Sequence, residues 1–122
     1  MKYEEGEKVF YLRVEGNKIT TSGQRTIFSV EQVGGYIYVT LDDGNYFQLR
    51  PIDKDQSLMV NSVTDGVYEF LTDNTKEGKK RIKHHLMSLA EVAVTQMAKY
   101  RTMKENLMSI VDDELIWLSM LQ

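Results

Sequence analysis

The chain has 122 residues, 42% of them hydrophobic and 27% charged, and a formal net charge of −3. It is long enough for one core and too short for two, and its composition is that of a folded protein rather than a disordered one. The absence of cysteine excludes disulfides, thiolate metal sites and a cysteine nucleophile. No apolar run approaches the ~18 residues of a membrane span, and the first residues carry no apolar signal-peptide segment, so a cytoplasmic location with no membrane partner is expected.

Residues 1–74 read as an antiparallel β domain. Short apolar, β-branched runs at 9–14, 26–30, 36–41, 46–50, 58–60 and 67–71 are separated by Gly16-Asn17, Ser22-Gly23, Gly34-Gly35, Asp43-Gly44 and Asp65-Gly66. Such dipeptides tolerate left-handed backbone, so each marks a turn, and the whole reads as a meander or small barrel. Pro51 is expected to end the fourth strand, since proline cannot donate to a ladder.

One hairpin can be set in register. Ile37, Val39 and Leu41 alternate on one face, and Phe47 and Leu49 must join them if the sheet has one core side. A two-residue loop mixes the faces. A three-residue loop, Asp42-Asp43-Gly44, pairs Val39 with Phe47 and Ile37 with Leu49, and leaves glycine at the left-handed position. The opposite face then carries Tyr36, Tyr38, Tyr46 and Arg50, an aromatic surface suited to stacking or peptide contact. The competing expectation is that a helix covers it.

Residues 75–122 read as helical: one long helix over about 75–110 and a short one over about 112–121. Asn74 with Glu77 has the spacing of a capping box. Ile82, Leu86, Leu89, Ala93, Gln96, Tyr100, Met103, Leu107 and Ile110 follow one another by alternating steps of four and three. That is a heptad seam, suited either to self-association as a homodimer or to a helix hairpin within one subunit. A single helix of this length spans roughly 50 Å, more than a small barrel's width. The terminal segment, capped by Asp112 or Asp113 and rich in leucine around Trp117, either folds back or docks on a partner.

Charge is uneven. Residues 1–74 hold 7 basic and 12 acidic side chains, whereas 75–122 hold 8 and 6. Lys76, Lys79, Lys80, Lys83 and His84 fall within an arc of about 140° on a helical wheel, with Arg81 beside them. This is a candidate anion site, for phosphates or for an acidic protein surface, or else a solvated face. Adjacent His84 and His85 diverge on a helix and cannot chelate one metal together, so neither a metal nor a cofactor is expected. No catalytic constellation emerges, and no enzymatic activity is expected.

Gly6-Glu7-Lys8-Val9 leading into the first strand, with the 36–44 hairpin, resembles small SH3-like barrels, the KOW and Tudor-like groups among them, over residues 6–72. That resemblance implies a compact barrel in an α+β chain. The small size, lysine-rich helix and missing catalytic set also resemble accessory proteins of phages and mobile elements. The expected function is a small protein-binding regulator or inhibitor that self-associates through its long helix as a homodimer, with a nucleic-acid-binding module using the lysine-rich start of that helix as the alternative.

Overall fold

The computed structural model describes residues 3–49, 58–93 and 98–121, without the side chains of 92, 93 and 98–100. Arg50, Pro51 and Gln96 lie outside the described residues, as do the side chains of Ala93 and Tyr100. Six strands come first: β1 (Lys8–Glu15), β2 (Lys18–Val33), β3 (Tyr36–Leu41), β4 (Tyr46–Leu49), β5 (Leu58–Thr64) and β6 (Val67–Asp73). Three helices follow: α1 (Lys76–Ala93), α2 (Ala98–Val111) and α3 (Glu114–Leu121).

The strands are all antiparallel in the order β4-β3-β2-β1-β6-β5. The sheet curls until its two edges approach, and the Asn61 side-chain amide of β5 donates to the Tyr46 carbonyl of β4 at 3.0 Å. The result is a nearly closed barrel, compatible with a small SH3-like one.

β2 makes the curl possible. Its first half pairs with β1 and its second with β3, with a register shift around Phe28. A bulge of this kind bends a strand and lets it serve two sheets. Ser22-Gly23, expected as a turn, lies inside β2 opposite Leu12 and Tyr11. Glycine serves packing there: a Cβ at Gly23 would come within 3.2 Å of the Arg25 guanidinium, which lies over the Tyr11 ring.

Two cores result. Val9, Tyr11, Ile27, Val39, Leu41, Phe47, Leu49, Met59 and Leu71 fill the barrel. Phe10, Leu12, Val14, Tyr68 and Phe70 point outward from β1 and β6 and pack with Ile82, Leu86, Leu107, Ile110 and Trp117 of the helices. β1 is thus buried on both faces from Val9 to Leu12, which explains the continuous apolar run there.

The expected long helix is two helices. α1 and α2 pack on each other, and Ile82, Leu86, Leu107 and Ile110 are at most 2% exposed in a single cluster, with Leu89 and Met103 packed against it. The four-three spacing fits a helix hairpin as well as a coiled coil, and within one chain the two helices satisfy each other's apolar stripes. These seam residues are therefore spent inside the subunit.

The start of α1 also differs from expectation. Thr75, not Asn74, is the cap: its hydroxyl accepts the Gly78 amide at 3.0 Å, while Asn74 bonds Gln24. Gly78 decides this. A Cβ there would sit 2.4 Å from the Asp73 carbonyl oxygen, so glycine lets the helix start directly against β6. α3 is capped by Asp113, whose carboxylate accepts the Ile116 amide at 3.3 Å. It folds back, leaving Trp117 2% exposed with its indole N–H donating to the Ile110 carbonyl at 2.7 Å.

Candidate protein-binding face

The β3–β4 hairpin has the anticipated register, Val39 opposite Phe47 and Ile37 opposite Leu49. Leu41 and Asn45 close the three-residue loop, and Gly44 takes φ 90°, a region glycine enters without steric cost. Asp43 clamps the loop. One carboxylate oxygen accepts the Asn45 amide at 3.0 Å, and the other accepts Arg25 Nε at 2.9 Å. Burial works to raise the Asp43 pKa, but the Asn45 amide and Arg25 outweigh it and hold the group below its ordinary value. The hairpin tip is thereby fixed to β2.

This alternation puts Tyr36, Tyr38, Thr40, Tyr46 and Gln48 on the outer face of β3 and β4. Tyr46 is 62% and Tyr36 40% exposed, and Tyr38 is half-buried beside Gln48. The helices do not cover this face, against the competing expectation; they cover the outer wall of β1 and β6, whose residues are more apolar. Phe28, turned out by the bulge, is also exposed. Over residues 27–33, 36–41 and 46–49 the only charged side chain is Glu31.

A crevice opens where β4 meets β5. Tyr46, Gln48, Asn61, Ser62, Val63 and Glu69 line it. Its buried member, Glu69, is held from the barrel interior, where the Tyr11 hydroxyl donates to its carboxylate and an Arg13 guanidinium nitrogen lies 3.5 Å away. Burial, then the bond to Glu69, pushes the Tyr11 hydroxyl up to about 12. Sequence reasoning missed the contributions of β5 and β6. The one available signal was Glu69, the lone charge within the buried run 67–71. The approach of β4 to β5 that makes it a wall of a crevice is non-local.

The basic cluster is divided by its partners. Lys79 donates to the Met120 carbonyl at 3.1 Å and lies over the Phe10 ring. Lys83 sits over the Trp117 ring, and Arg81 pairs with Asp73 at 3.0 Å. Lys80 makes an open pair with Glu77 at 3.7 Å, and Lys76 and His84 are exposed. Half of the predicted anion site thus fastens α1 to β6 and α3. His85, half-buried, meets the Phe70 ring edge-on, and burial lowers its pKa. No helix among the described residues is long and apolar enough to cross a membrane.

No family model, no curated protein and no solved structure matches this chain.

Proposed function

We propose that the protein is a non-enzymatic binding protein, a small regulator or inhibitor of the accessory type, that engages a protein target across the outer face of β3 and β4. One observation carries this reading: an exposed, tyrosine-rich face on a fixed hairpin, with Glu31 the only charged side chain of residues 27–33, 36–41 and 46–49. Tyrosine is enriched where proteins meet, because it offers apolar area and a hydroxyl at low entropic cost. A phosphate backbone needs clustered cations, which the described residues of this face do not supply. The crevice beside Tyr46 gives the target a place to insert one side chain. Kinship of residues 6–72 to the KOW or Tudor-like groups belongs to the same proposal and rests on the strand and turn pattern.

The test replaces Tyr46 with the photocrosslinker p-benzoylphenylalanine and irradiates the protein in native extract, with a Lys18 replacement as control. A discrete protein adduct from position 46, absent from position 18 and suppressed by excess unlabelled protein, supports the reading. A salt-dependent oligonucleotide complex, abolished in K76E/K80E, with no protein adduct at position 46, overturns it in favour of a nucleic-acid module.

A further inference from the structure

Independently of the barrel face, α3 leaves a second surface unpartnered. Leu115 is 81% and Leu118 58% exposed, neighbours at i and i+3 on the side of α3 turned away from Trp117, Leu115 lying opposite it and Leu118 about 100° round the helix. An isolated exposed leucine is ordinary; an adjacent pair on a helix packed down by a buried tryptophan forms a ridge. A shallow groove lined by Ile19, Ser22, Ile116, Ser119 and Met120 runs beside the ridge, and Leu115 of the ridge forms one of its walls.

The charge around this ridge is polar end to end. Asp112, Asp113 and Glu114 stand at the N-terminus of α3. Lys79 bonds Met120 at its C-terminus, which brings the start of α1 to that end, where Lys76, Lys79 and Lys80 outnumber the one carboxylate, Glu77, that pairs with Lys80. Lys83 over Trp117 fixes the direction: α3 runs antiparallel to α1. A surface that is acidic at one end, apolar in the middle and basic at the other is complementary to itself after a two-fold rotation.

We propose that α3 is the interface of a homodimer, in which two copies pack α3 against α3 in antiparallel fashion. The Leu115–Leu118 ridge of each copy enters the groove of the other, and each acidic end faces the other copy's lysines. An isologous contact of this kind closes at two copies and leaves no open surface. The antiparallel arrangement also sets each helix N-terminus beside the other's C-terminus, which the macrodipoles favour. Self-association then uses a surface the heptad spacing does not indicate, since that seam is consumed within the chain.

Sedimentation over a range of concentration tests this. The wild type should approach twice 14.2 kDa, and L115S/L118S should remain monomeric, its affinity for itself lowered by about 100-fold or more. Both leucines are exposed, so circular dichroism of that variant, and its urea midpoint at concentrations where the wild type is itself monomeric, should match wild type. E114K and K76E should each weaken the dimer severalfold, and E114K/K76E should restore it. A wild type that stays monomeric at several hundred micromolar overturns the proposal. So does a folded L115S/L118S that still dimerises. A double charge swap that behaves as the sum of two losses overturns the antiparallel arrangement.

Discussion

The outer wall of the barrel has two halves with the same alternation and opposite fates. On β1 and β6 the outward positions are Phe10, Leu12, Val14, Tyr68 and Phe70, and three helices cover them. On β3 and β4 they are Tyr36, Tyr38, Thr40, Tyr46 and Gln48, and nothing in the described chain covers Tyr36 or Tyr46. Pattern alone does not distinguish the halves; side-chain chemistry does. Phenylalanine, leucine and valine gain only by leaving water, whereas tyrosine keeps a hydroxyl hydrated while offering its ring to a partner.

The comparison breaks most sharply at paired substitutions. Phe70→Ala should cost about 3–5 kcal/mol, because the ring is fully buried between sheet and helices and a cavity would remain. Tyr46→Ser on the bare half should stay within about 0.5 kcal/mol. Urea denaturation of both variants checks this; equal losses would mean the bare half is structural.

Next in size is the contact that brings the helical layer to the sheet. Gly78→Ala improves helix propensity, by up to about 1 kcal/mol. It also forces a Cβ to 2.4 Å from the Asp73 carbonyl, and relieving such a clash costs about 1–3 kcal/mol. Net destabilisation in thermal melting is the expected outcome, and a gain would show that α1 can lift off β6 freely. Trp117→Phe keeps most of the buried ring but leaves the Ile110 carbonyl without its indole donor. That carbonyl still accepts the Asp113 amide at 3.2 Å, so a loss of about 0.5–1.5 kcal/mol follows, and amide exchange should report it first in α3.

What was legible in the sequence follows from what is local. The 36–49 hairpin could be set residue by residue, because strand alternation and one glycine leave a single consistent register. A cap at Asp112 or Asp113 and the separate identity of α3 were readable for the same reason, and the structure chose Asp113. The division into α1 and α2 was not, since the four-three spacing continues across it with Gln96 as its one polar member and serves either arrangement. Asn74 has as good a capping pattern as Thr75; the choice between them depends on how closely Gly78 meets Asp73, a contact between elements. The role of Glu69 required knowing that β4 and β5 close the barrel. Lys79 and Lys83 read as a binding arc because the helix that occupies them lies some forty residues downstream.

The smallest expected effect tests the covered half through its half-buried histidine. His85 reaches from α1 to the edge of the Phe70 ring, and burial lowers its pKa. The neutral imidazole is therefore favoured in the folded chain relative to the unfolded one. Its contribution is present above the unfolded value of about 6.5 and is lost as pH falls below it toward the depressed folded value. Between pH 7.5 and 5.5 the urea midpoint should decline in wild type, and in H85Q, which has nothing to protonate at that position, the decline should be smaller. Parallel slopes would mean that His85 reaches water on protonation, and that the helical layer yields there more readily than its packing against Phe70 implies.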